Sequence, residues 1–132
     1  MAHQRKKPLL FSTALLFVML LGGCLELSGP EACTTESVPG LVVTVERTDT
    51  GEPLADALVV ARDGIFADSM RTRLPPGDSG SAAAQLAFER SGEYDVTVQK
   101  GGYEPAVRHD VQVDENDCHV ETVELTVGLA PN

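Results

Sequence analysis

From Gly40 onward the chain alternates apolar and polar residues with period two, and no helical period competes with it. That pattern commits the chain to half-buried strands. Leu41, Val43 and Val45 alternate with Val42, Thr44 and Glu46, so the odd positions are expected to face inward. Thr48–Pro53 is a turn, with Gly51 free to take positive φ and Pro53 ending the ladder. Ala57–Asp63 reads as a second strand, apolar enough to be buried on both faces. After a hairpin-like break at Asp63-Gly64, Ile65–Arg73 reads as a weaker, edge strand. Leu74–Ser81 is a polar loop.

Four further turns and strands follow. Ala82–Arg90 is expected to place Leu86 and Phe88 inward, and Glu93–Lys100 to place Tyr94, Val96 and Val98 on one face. Ala106–Val113 puts Val107, His109, Val111 and Val113 on one face, after a turn at Gly101-Gly102. The last strand, Cys118–Val127, changes phase: Cys118 and Val120 are even, while Val123, Leu125 and Val127 are odd. A one-residue bulge near Glu121-Thr122 would reconcile the two halves. About seven short strands at regular spacing predict an all-β sandwich.

A length of 132 residues suits one domain and not two. Aromatics make up only 5% and Trp is absent, so the core must come mainly from Val, Leu and Ala. Ten cations against twenty acids give a net charge of −10. Every acid lies after Gly23, whereas Arg5, Lys6 and Lys7 lie before it; setting those three aside leaves −13. Such a surface repels phosphate backbones and anionic headgroups, so neither nucleic acid nor electrostatic membrane binding is expected. Solubility is what the charge supplies, and it names no partner.

The N-terminus reads as a targeting segment. Met1–Lys7 is a positive n-region, and Pro8–Leu21 runs almost purely apolar. That run is shorter than the roughly 20 residues needed to cross a bilayer and fits the core of a secretory signal. Leu21-Gly22-Gly23-Cys24 then resembles the lipobox of bacterial lipoproteins: an aliphatic residue, two small residues and the obligatory Cys. The resemblance implies cleavage before Cys24, diacylglycerol on its thiol, and attachment to the cell envelope through that lipid. Leu25 stands where an Asp would hold such a protein at the inner membrane. An outer-membrane position, facing periplasm or surface, is therefore expected if the source is Gram-negative.

Lipidation of Cys24 would leave Cys33 and Cys118 as an even pair in an oxidising compartment, so a Cys33–Cys118 disulfide is expected. It would close a loop of roughly 85 residues and leave Leu25–Ala32 as the free tether, whose reach is at most about 25–29 Å.

Two stretches carry a second resemblance. Thr48–Val59 (Thr-Asp-Thr-Gly-Glu-Pro-Leu-Ala-Asp-Ala-Leu-Val) resembles the opening of carboxypeptidase regulatory-like, or transthyretin-like, domains. Gly92–Tyr103 resembles the same family's later Gly-x-Tyr-x-Val-x-Val…Gly-Tyr segment. The motifs are structural: turn glycines, a core Tyr and paired Val. They imply a seven-stranded Greek-key, prealbumin-like sandwich and a non-enzymatic accessory module. The resulting organisation is a signal peptide at 1–23, lipidated Cys and tether at 24–39, the sandwich at 40–127, and a tail at 128–132.

No catalytic residue is expected. His109 and His119 are the two histidines beyond the signal, and neither has a nucleophile-elbow context. His109 is in phase with Val107 and Val111, which reads as packing. Hydroxyisourate hydrolases of the transthyretin-like fold end in Tyr-Arg-Gly-Ser, whereas this chain ends Gly128-Leu129-Ala130-Pro131-Asn132. Intradiol dioxygenases spend two Tyr and two His on iron, but Tyr94 and Tyr103 here occupy the structural motif. Asp114, Glu115 and Asp117 offer oxygen ligands to a cation such as Ca²⁺, without the spacing or Gly of an EF-hand, so a solvated turn is expected. Asp49 and Glu52 read the same way, and Cys118 and His119, as strand neighbours, would point apart. No metal is expected, and no cofactor beyond the lipid.

The function expected is that of a lipid-anchored binding or structural module, with an envelope protein or glycan as partner. Leu74–Ser81 and Asp114–Asp117 are the natural contact loops. A Ca²⁺-dependent adhesion module and an enzyme with an unrecognised site remain the alternatives.

Overall fold

The computed structural model describes residues 32–77 and 80–132. The expected signal segment, Cys24 and Leu25–Glu31 of the expected tether lie outside the described residues, as do Asp78 and Ser79 of the Leu74–Ser81 loop. Residues Cys33–Asn132 form one compact unit. Its strands are β1 (Pro39–Arg47), β2 (Leu58–Asp63), β3 (Phe66–Arg71), β4 (Ala83–Phe88), β5 (Gly92–Gln99), β6 (Ala106–Val113) and β7 (Val123–Leu129).

They form two sheets, one ordered β4-β1-β7 and the other β3-β2-β5-β6. β1 runs antiparallel to β4 and parallel to β7. The hairpins β2–β3 and β5–β6 stay within one sheet, while the chain crosses between sheets after β1, β3, β4 and β6. The protein is an all-β, seven-stranded sandwich with Greek-key connections, as the alternation and resemblance led us to expect.

The core fills the space between the sheets. Leu41, Val43, Val45, Leu86, Val127 and Leu129 face Val59, Ala61, Tyr94, Val96, Val98 and Val113, all fully buried. Tyr94, the largest of them, donates its hydroxyl hydrogen to the Arg90 carbonyl at 3.0 Å. Its ring meets Phe66 edge-on at 6.2 Å, and the Arg90 guanidinium lies 4.2 Å above Phe66. Burial pushes the Tyr94 phenol up from its ordinary value.

Four expectations are corrected. Leu86 is buried but Phe88 is 43% exposed, because Ala87 adopts φ 54 and turns itself inward, so the alternation skips a beat. The Ala87 N–H is held there by Asp68 Oδ2 at 2.8 Å, which ties β4 to the β3 edge. β2 buries one face only: Leu58 and Val60 are half-buried and Arg62 is exposed. In β6, Val111 and Val113 are buried, whereas Val107 is 43% exposed and the His109 side chain 69%.

The β6 result has a register cause. Tyr94 pairs with Val111 but Val96 pairs with Arg108, so two β6 residues, His109 and Asp110, oppose the single β5 residue Asp95. The extra residue is a bulge at His109-Asp110, with Asp110 at φ 56. It carries His109 out of the packing role expected for it. Near Glu121-Thr122 there is no continuous strand to bulge: β7 begins at Val123, and Val120 forms a separate bridge with Glu115. At its far end β7 takes in Gly128 and Leu129, and Ala130 and Asn132 hydrogen-bond to Glu104 and Gly102.

Candidate functional site

One end of the sandwich carries a strap, residues 33–38, that leads into β1. Cys33 and Cys118 are joined by a disulfide across 85 residues, as expected. Cys118 lies in a bend between β6 and β7 and not in a strand, so strand geometry does not set its direction relative to His119. Asn116 builds that bend: its Oδ1 accepts the N–H groups of Cys118 at 2.9 Å and His119 at 3.0 Å.

His119 then joins the strap to the sheet. Its Nε2 lies 2.9 Å from Thr34 Oγ1 and its Nδ1 lies 2.9 Å from Glu89 Oε1. The Glu89 carboxylate only accepts, so Nδ1 carries the proton, and in the neutral ring Nε2 accepts from the Thr34 hydroxyl. Glu89 Oε1 also accepts the Val38 N–H at 2.7 Å, and the Glu89 N–H donates to the Val38 carbonyl at 2.9 Å. These contacts hold the Glu89 carboxyl below its usual range, first through the Val38 N–H and next through His119, against some desolvation. Thr122 Oγ1 donates to the Pro39 carbonyl at 2.7 Å and completes the seam.

The order hydroxyl–imidazole–carboxylate is that of a nucleophile, base and orienting acid. Here Glu89 Oε1 accepts both the His119 ring N–H and the Val38 N–H, and the three side chains tie the strap to the end of β4 and to the β6–β7 bend. The arrangement works as a latch. Sequence reasoning missed Glu89 and Thr34, because only the fold brings residues 34, 89 and 119 together.

Among the described residues no three His, Cys, Asp or Glu side chains gather as a metal site. Asp114, Glu115 and Asp117 are exposed, and Asp114 Oδ1 receives the Gln112 amide at 3.3 Å. Asp49 is taken by Arg47, which grips both its oxygens at 2.9 and 2.8 Å and holds its carboxyl below the ordinary value. His109 Nδ1 and the Asp110 N–H both face Asp95 Oδ1, at 3.0 and 3.4 Å, so the pair closes the bulge.

The opposite end of the sandwich carries a cavity. It is open to solvent, measures about 410 Å³ and is lined by Leu58, Arg71, Gln99, Lys100, Gly101, Tyr103 and Pro105. Leu58 pairs with both Arg71 and Gln99, so three adjacent strands present one row of side chains there. Lys100 Nζ donates to the Ala55 carbonyl at 2.8 Å, and Arg71 Nη1 to the Asp56 carbonyl at 3.0 Å. Both cations are thereby aimed by one loop, Ala55–Asp56. Since β5 runs from Gly92 beside the strap end to Gln99, roughly 23 Å separates cavity and latch.

Compared with protein-family models and with curated proteins, the sequence matches none.

Proposed function

We propose that this chain is a lipid-anchored protein of the cell envelope whose sandwich is a non-enzymatic binding module. The observation that carries the reading is the closed Cys33–Cys118 bond with the strap latched beside it. A disulfide persists in an oxidising compartment, which supports export. It also leaves Cys24 as the one remaining thiol of the three, within Leu21-Gly22-Gly23-Cys24, where the lipobox resemblance puts diacylglycerol.

The strap then decides geometry. Free tether ends at Ala32, because Cys33 is already tied to the domain. Eight residues extend to at most about 25–29 Å, so the domain would sit close to the membrane surface. Leu74–Ser81 connects β3 to β4 at the cavity end, whereas Asp114–Asp117 sits at the latch end. The likeness to carboxypeptidase regulatory-like domains belongs to this proposal; a buried Tyr94 and a turn with Gly51 at φ 70 are features it requires.

The test is the intact mass of the chain extracted from membranes of a bacterial host. A mass of Cys24–Asn132 plus lipid, two hydrogens below the reduced value, is expected. Retention of Met1–Gly23, or an unmodified Cys24, would overturn the anchor.

A further inference from the structure

We propose that the cavity between β2, β3, β5 and the Gly101–Pro105 turn binds a small saccharide bearing a single carboxylate. The inference deepens the reading of the sandwich as a binding module and does not depend on the lipid anchor. Charge is the first argument. Beyond Gly23 the chain is −13, yet two of its seven cations, Arg71 and Lys100, line this one cavity. Each is aimed by a backbone carbonyl and keeps further N–H groups for a ligand. Asp56 stands 3.5 Å from Arg71 with both side chains largely exposed, a pairing that water screens and a ligand carboxylate can replace.

Size and lining give the ligand its class. A volume of about 410 Å³ lies at the lower end of ligand pockets, enough for one or two sugar rings. Leu58, Pro105 and the half-buried Tyr103 offer an apolar floor to the C–H face of a ring. The Gln99 amide and Tyr103 hydroxyl, both on residues of the lining, can serve its hydroxyls. A guanidinium beside an ammonium suits one carboxylate, the first by its fork and the second as a point charge. The surrounding field of −13 works against a polyanion, whose distant charges would meet acids. One negative group on a polar ring satisfies both conditions.

The experiment is saturation-transfer NMR on the full chain in detergent micelles, with three probes: N-acetylmuramic acid, N-acetylglucosamine and lactate. The first is the second plus a lactyl carboxylate, so the pair isolates the charge and lactate isolates the ring. Saturable transfer is expected from N-acetylmuramic acid, with a dissociation constant about tenfold below that of either other probe. Arg71→Gln and Lys100→Gln should each weaken it about tenfold, while Arg62→Gln, outside the cavity, should not. If a cavity variant fails to fold, the unmodified protein still decides: raising the salt concentration must weaken the acidic probe and leave N-acetylglucosamine unaffected. No saturable transfer, equal transfer from N-acetylglucosamine, or lactate binding as tightly as the whole sugar acid would each overturn the proposal. None of those results touches the mass of the anchored chain, so the two proposals fail separately.

Discussion

Glu89 Oε1 is shared by two partners from distant parts of the chain, the His119 ring nitrogen at 2.9 Å and the Val38 N–H at 2.7 Å. One oxygen thus joins the strap, the end of β4 and the β6–β7 bend. Because the Val38 bond and then His119 favour the ionised form, the folded-state pKa of Glu89 lies below its unfolded value. The stabilisation is present above the unfolded value and is lost as pH falls through the folded one. The melting temperature should therefore drop on acidification below the ordinary glutamate range. Glu89→Gln should flatten that part of the curve, which a pH series of thermal melts on both proteins would measure. An unchanged acid limb in the variant would refute the role given to this carboxylate.

The disulfide should dominate the stability of the strap end. Closing a loop of 85 residues removes about 4–5 kcal/mol of unfolded-chain entropy in the loop-closure argument. That is close to the whole stability of a small domain. Cys33→Ser with Cys118→Ser should lower the denaturation midpoint severely, and treatment of the unmodified chain with reductant should do the same. Urea unfolding of the oxidised, reduced and double-variant proteins checks the ordering. A midpoint unmoved by reduction would show that the latch holds without the bond.

Thr72 is the one buried polar side chain among the described residues, at 2% exposure. Its hydroxyl donates to the Leu54 carbonyl at 2.6 Å and accepts the Ala57 N–H at 3.0 Å, fastening the β1–β2 connection to the end of β3. Thr72→Val keeps the shape and removes both bonds, so a loss of about 2 kcal/mol is expected. Thr72→Ser should recover most of it. Chemical denaturation of the pair separates hydrogen bonding from packing. The same connection positions Ala55 and Asp56 under Lys100 and Arg71, so Thr72→Val should also blunt the cavity's grip on an acidic ligand.

The parts legible in the sequence are those that follow strict alternation. Leu41, Val43 and Val45 and then Tyr94, Val96 and Val98 each keep one phase through a whole strand, and each set is buried. The parts that escaped are places where the backbone steps out of that rhythm. Ala87 at φ 54 carries no sequence mark, since Ala rarely enters the left-handed region, and its N–H bonds the Asp68 carboxylate 19 positions earlier. The β6 bulge left a fainter trace: Asp110 is a residue type that tolerates positive φ, and Asp95 stands opposite to cap it. Period-two reasoning placed the bulge in the wrong strand because it took Val120 for a strand residue. The cavity and the latch were not legible at all, as each joins short polar segments far apart along the chain.

The phase reversal in β4 makes the last prediction. Leu86 is fully buried against the opposing sheet, while Phe88, two residues on and expected to share its face, is 43% exposed. Were the alternation unbroken, truncating either side chain would open a cavity. With Ala87 turned inward, only Leu86→Ala should do so, at about 2–5 kcal/mol. Phe88→Ala should stay within about 0.5 kcal/mol, the range of surface substitutions. Measured by urea denaturation under identical conditions, a large loss from Phe88→Ala would put Phe88 in the core and remove the Ala87 reversal. A small loss, with Asp68→Ala then destabilising β4 by freeing the Ala87 N–H, would show that a side chain on β3 sets the direction in which β4 ends.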